Sequence, residues 1–255
     1  MFVRDYPASA GASEAPILFV HGLGESGLCF ERVVEHPRLA RFPRLIVDLP
    51  GYGRSAWRRP VDTLAALADH LALWLAARAG RPAVIVGHSM GGIVALLAAE
   101  RHPHLFAGVV DVDGNKSLGD CAFSGRAAKT ALEDFEARAF DALVDGIYED
   151  GSRDAPLRGY YASLRLCDPR AYHAHSIELV ELSGKEQMAH RLAALQLPKL
   201  YVAGQPRGAC ARSIALLDEA GVAWFAIEPS GHWPFLDQPD SFAEALSAFC
   251  DAVAG

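Results

Sequence analysis

The segment "VIVGHSMGG" (residues 84–92) decides how the chain is read. Three apolar β-formers, Val84, Ile85 and Val86, run into Gly87-His88-Ser89-Met90-Gly91, and a helical pattern follows at once. A G-x-S-x-G set between a strand and a helix makes a turn too tight for side chains at its two glycines. The turn lifts Ser89 clear of the sheet, and the N-terminus of the next helix favours negative charge beside it. Ser89 is therefore expected to be a nucleophile. The alternative is a glycine-rich turn of purely structural use.

Outward from this segment, short apolar runs alternate with helical patterns. "PILFVHG" (16–22), "RLIVDLPG" (44–51), "PAVIVGHS" (82–89), "GVVDVDG" (108–114), "KLYVAG" (199–204) and "VAWFAIEPSG" (222–231) read as strands buried on both faces. Helical patterns occupy 62–79, 90–101, 211–220 and 239–253. This alternation predicts an α/β fold with a mostly parallel central sheet and helices on both faces. The rhythm breaks between 115 and 195, where Leu132, Phe135, Ala139, Leu143 and Ile147 recur at helical spacing. In the same region "DPRAYHAHSIELVELSG" (168–184) opens on Asp-Pro and closes on glycine. The expected organisation is a core of 1–114 and 196–255 with an inserted helical lid, 115–195, over the strand ends that hold the site.

Two further loops bear on the chemistry. Acyl transfer needs two donors aimed at the developing oxyanion. One is the backbone N–H of Met90, next after the serine; the other is expected from "FVHGLGES" (19–26), at Leu23, because Gly22 lets the chain bend close. His21 reads as a structural histidine that shapes this loop. "EPSGHWPFLDQP" (228–239) places His232 after the last strand and before the final helix. A base that must reach Ser89 and then a leaving group belongs in such a loop. A lone loop histidine is commonly just solvated, but its place last in the order serine, acid, histidine makes His232 the expected base.

Taken together, "HGLGES", "DLPGYGRS", "GHSMGG" and "SGHWPFLDQP" resemble the α/β-hydrolase superfamily, in that family's order and over nearly the whole chain outside the lid. The resemblance implies its fold and catalytic machinery but not a substrate. Members include esterases, thioesterases, lipases, lactonases, C–C bond hydrolases, some peptidases and haloperoxidases. Relatives that are haloalkane dehalogenases or epoxide hydrolases carry a carboxylate where Ser89 stands, so their chemistry is not implied.

The catalytic acid is the departure. In many members it follows the penultimate strand, where this chain has "AGQPRG" with the neutral Gln205. Asp218 and Glu219 lie nearby, at the solvated end of an amphipathic helix. A minority of members carry the acid one strand earlier, here "GVVDVDGN" (108–115). Asp113 stands at the end of that strand and is the expected acid; a turn or cap role is its bland alternative. Asp111 points the same way but deeper, and if buried it needs partners. It remains the alternative acid.

Other signals point to no further group. The formal net charge of −7 disfavours a nucleic-acid or anionic-membrane binder. The N-terminal "MFVRDYPASAGASEAP" has no signal-peptide core, and no apolar run reaches a membrane span. Five scattered cysteines favour a reducing, cytoplasmic setting. His102 and His104, like His173 and His175, lack a third ligand and read as exposed or capping; Asp48 reads as part of a structural turn. No metal and no cofactor are expected. Trp233, Tyr160 and Tyr161 are candidates to line an apolar acyl pocket. The expected activity is hydrolysis of a small-molecule ester or thioester. C–C or amide hydrolysis, a cofactor-independent dioxygenase using the His-Asp pair, and a non-enzymatic ligand receptor are the alternatives.

Overall fold

The computed structural model describes residues 1–9, 15–78 and 80–254. Residues 10–14 of the N-terminal stretch and residue 79, the expected end of the first long helix, lie outside the described residues. Among the described residues seven strands form one sheet: β1 (Phe2–Tyr6), β2 (Ile17–Val20), β3 (Arg44–Asp48), β4 (Ala83–His88), β5 (Phe106–Val112), β6 (Lys199–Arg207) and β7 (Trp224–Gly231). Their order is β1-β3-β2-β4-β5-β6-β7, with β1 antiparallel to β3 and every other neighbour parallel. The sheet is the mostly parallel one expected.

Central position explains the apolar runs. Every residue of β2, β3 and β4 is buried, as strands covered on both faces must be. Two strands depart from the sequence reading. β1 was not expected: it is a short edge strand whose charged Arg4 and Asp5 mask any apolar run. β7 was expected to be buried on both faces, but only Ile227 and Ser230 are buried in it. It is the opposite edge, with one neighbour instead of two.

Helices α1 (Leu64–Ala77) and α2 (Met90–Arg101) pack against each other. The Thr63 hydroxyl caps α1 by accepting from Ala66 N at 3.1 Å. Between β5 and β6 the chain runs through a helical stretch with one wide turn at Phe135–Ala139, continuing as α3 (Phe140–Asp150). It then forms α4 (Ala155–Leu164), α5 (Pro169–Gly184) and α6 (Met188–Ala194). α7 (Ala211–Ala220) and α8 (Pro239–Ala254) complete the core, and α8 packs on β5. Although α6 falls within the expected lid, it packs against α7 and α2, on the core.

The rest of the insertion is tied to the core by named contacts. Asp168, buried at the start of α5, is gripped by Arg59 through both carboxylate oxygens. Tyr52 O–H meets His175 Nδ1 at 2.7 Å, and His175 Nε2 donates to Asp62 O at 2.8 Å. His173 Nε2 donates to Thr130 O at 2.8 Å. His173 and His175 are therefore buried packing groups, not the exposed or capping residues expected. They lie inside the insertion, where amphipathic spacing alone does not say which face is covered.

Candidate active site

β4 ends at His88 and α2 begins at Met90, leaving Ser89 between them at φ 52° and ψ −118°. A non-glycine residue there is strained by about 1–3 kcal/mol and persists only where its surroundings hold it. Ser89 N donates to Val112 O and Gly92 N donates to Ser89 O, both at 2.9 Å. The flanking glycines are required by crowding. A methyl on Gly87 would lie 2.2 Å from Gly91 O, and one on Gly91 would lie 2.2 Å from Val20 O.

Ser89 and His232 line one narrow cavity, with about 20 Å³ of free room, together with Leu23, Phe123, Tyr160, Leu179 and Trp233. Met90, the other expected oxyanion donor, opens α2 directly after the serine and is fully buried. Gly22 N is already committed to Glu25 Oε2 at 2.5 Å, which leaves Leu23 as the next N–H of that loop. Trp233 and Tyr160 stand in the cavity wall. Tyr161 does not: it packs against Tyr148 with the rings tilted and their centroids 5.1 Å apart, and it lines a separate surface pocket with Arg153 and Arg158. Successive helical residues face different sides, so α4 could turn only one of the two tyrosines toward Ser89.

Asp113 follows β5 directly and is buried, with φ 46°. Its Oδ1 accepts from Gly204 N at 2.9 Å and Ala209 N at 3.2 Å. Its Oδ2 makes no hydrogen bond and faces His232 Nδ1 at 3.4 Å. A buried acceptor without a donor is costly, and the imidazole stands within ion-pair distance of this one. The loop that lacks its own carboxylate thus wraps the one supplied by the preceding strand. Gln205 Nε2 serves that loop by donating to Ala209 O at 2.9 Å.

Asp111 is also buried, but its partner is Lys116. Lys116 Nζ lies 2.7 Å from Asp111 Oδ2, donates to Gly114 O at 2.9 Å and is wholly inaccessible. Burial raises the Asp111 carboxyl above its usual range, with Lys116 opposing. The structure therefore gives Asp111 to a buried ion pair and Asp113 to His232.

The remaining singled-out residues are structural. His21 Nδ1 bonds Gly22 O at 2.8 Å while its Nε2 accepts from Leu49 N at 3.0 Å. Asp48 accepts from Gly27 N, Arg54 N and Arg4. His102 pairs with Asp69. Among the described residues no group of three or more His, Cys, Asp or Glu is placed to hold a metal ion. Sequence reasoning passed over Glu25 and His88, which meet inside the cavity wall. An ionisable His88 inside a segment read as a buried strand was the available signal; Glu25, in the loop after the first such strand, gave none.

The sequence profile of the alpha/beta hydrolase family matches residues 17–245. A pimeloyl-[acyl-carrier protein] methyl ester esterase of Sodalis glossinidius (strain morsitans) is 30% identical, over 94% of this chain and 95% of that protein. Among solved structures, a thermophilic esterase from Thermogutta terrifontis superposes with a TM-score of 0.80 at 22% identity, covering 100% of this chain and 94% of the other. An enol-lactonase from Burkholderia xenovorans LB400 does so with a TM-score of 0.80 at 16% identity, covering 97% and 95%. The two structural likenesses speak for the fold. The chain belongs to the alpha/beta hydrolase family. Its activity is that of a carboxylic ester hydrolase.

Proposed function

We propose that the chain hydrolyses a small carboxylic ester or thioester through an acyl-enzyme, with Ser89 as nucleophile, His232 as general base and Asp113 as its orienting carboxylate. The observation that carries this reading is the unspent, buried Asp113 Oδ2, 3.4 Å from Nδ1 of a histidine that shares its cavity with Ser89. Ser89 Oγ attacks the carbonyl while His232 Nε2 takes its proton. Asp113 holds the Nδ1–H tautomer and balances the imidazolium. The N–H groups of Leu23 and Met90 hold the oxyanion. His232 returns the proton to the leaving group, and water repeats the cycle on the acyl-enzyme.

Residues 115–195 serve as the lid in this reading, since Phe123, Tyr160 and Leu179 wall the cavity from that side. The cavity is narrow, with Leu23, Phe123, Leu179 and Trp233 in its wall, which supports a short or slender apolar acyl group. The methyl ester named for the Sodalis relative is one candidate substrate of this kind. A cytoplasmic setting fits five free cysteines, and no helix among the described residues is long and apolar enough to cross a membrane.

The test is turnover of p-nitrophenyl esters of increasing acyl length. Ser89→Ala is expected to lose activity by a factor on the order of 10⁴ or more, and wild-type turnover to fall as the acyl chain outgrows the cavity. Ester turnover that survives Ser89→Ala would sink the acyl-enzyme reading.

A further inference from the structure

The reaction above uses neither the carboxylate in "GLGES", Glu25, nor the histidine inside the nucleophile motif, His88. Both are buried, at 2% and 1% exposure. Together they touch all three loops that carry the site. His88 Nδ1 lies 2.9 Å from Glu25 Oε2, and His88 Nε2 lies 2.7 Å from the main-chain oxygen of His232. Glu25 also accepts from Gly22 N and from Trp233 Nε1, each at 2.5 Å.

The proton count follows from these partners. A carbonyl oxygen only accepts, so Nε2 must carry a hydrogen. Nδ1 faces a carboxylate oxygen, so a hydrogen lies on that contact too. Each Glu25 oxygen already receives an N–H at 2.5 Å, and hydrogen bonds to the charged form favour it. The shared hydrogen therefore belongs to nitrogen, and His88 is doubly protonated.

We propose that Glu25 and His88 form a buried carboxylate–imidazolium clamp whose task is to position His232 and the oxyanion-side loop around Ser89. They are positioning residues, and the proposal rests on the triad reading. Glu25 fixes Gly22, one residue before the expected donor Leu23, and also fixes the indole of Trp233. His88, one residue before Ser89, fixes the backbone of His232. One ion pair thus sets the spacing of nucleophile, base and oxyanion donor. Burial by itself would depress His88, but the Glu25 charge and hydrogen bond, helped by the His232 carbonyl, more than reverse this and raise it. Burial likewise works against the Glu25 anion, yet His88, Trp233 and Gly22 hold it at about 2.

The His88 ring lies 4.7 Å from the His232 ring, and the charged or titratable groups facing His88 are Glu25, His21, Asp113 and His232.

The experiment joins ¹⁵N-imidazole NMR of the wild type to kinetics of His88→Gln and Glu25→Gln on p-nitrophenyl acetate across pH, with thermal melts for folding. Expected are a His88 ring protonated at both nitrogens at pH 8 and a kcat lowered roughly tenfold to a hundredfold in each variant with little change in KM. A neutral His88 ring at pH 8 overturns the proposal whether or not the variants fold. So does a folded His88→Gln enzyme with wild-type kcat. A wild type inert toward esters would count against the triad reading, while the NMR result would still decide the ion pair.

Discussion

Two aspartates two residues apart, Asp111 and Asp113, have unlike surroundings, and substitution separates them. Asp113→Asn keeps the acceptor for Gly204 N and Ala209 N but removes the charge facing His232. It is expected to lower kcat by a factor of roughly 10² to 10⁴ with a melting temperature near wild type, read by ester kinetics and calorimetry. Asp111→Asn leaves the Lys116 ammonium buried without its counter-charge. It is expected to cost roughly 3–5 kcal/mol of stability by urea unfolding, with kcat per folded molecule largely retained. The reverse outcome would make Asp111 the acid. "GVVDVDGN" offers both carboxylates on one side of the strand, and nothing in that stretch says which one meets Lys116.

At the scale of elements, α5 is docked on the core partly by a neutral histidine. Burial lowers His175 to about 4, with the Asp62 carbonyl opposing, and burial lowers His21 as well. The unfolded chain takes up these protons below about 6.5 while the folded one does not, so stability rises with pH between about 4 and 6.5. The His175 contribution is roughly 3 kcal/mol over that window. Glu25, held at about 2, adds stability that is present above its unfolded value of 4.5 and lost as pH falls toward 2. His88, being raised, adds stability that is full below 6.5 and lost as pH rises through its folded value. Chemical denaturation from pH 4 to 7 should therefore show a rising slope that flattens in His175→Gln. An unchanged slope would remove His175 as its cause. The helical spacing of 168–184 is plain in the sequence, whereas the burial of both its histidines depends on Tyr52, Asp62 and Thr130, which lie far away in the chain.

Over the whole molecule, a small cavity at Ser89 lies between the core and a helical insertion fastened by apolar packing, as at Tyr160, Leu164 and Tyr172, and by a few polar contacts. Arg59 grips the buried Asp168 carboxylate, Leu64 N donates to Glu178, and Ser26 meets Ser163 at 2.9 Å. Arg59→Ala leaves Asp168 with the Arg170 N–H alone and should loosen the start of α5. Amide hydrogen exchange across Pro169–Gly184 is expected to quicken several-fold while β2, β4 and β5 keep their protection. Uniform quickening through the sheet would show instead that the contact supports the whole fold.

The buried parallel strands, the elbow at Ser89 and the position of His232 were legible in the sequence, because each rests on local chemistry. Apolar runs mark strands covered on both faces, and glycines mark a turn whose backbone leaves no room for a methyl. The edge strands were not legible in the same way: β1 carries charges, and β7 looks as apolar as its buried neighbours. Only the tertiary structure decided that Asp113 and not Asp111 faces His232, that Tyr160 and not Tyr161 reaches the cavity, and that Glu25 and His88 meet. Each of those outcomes depends on where a side chain's partner lies across the fold, and the partners come from segments separated by up to 208 residues, as between Glu25 and Trp233.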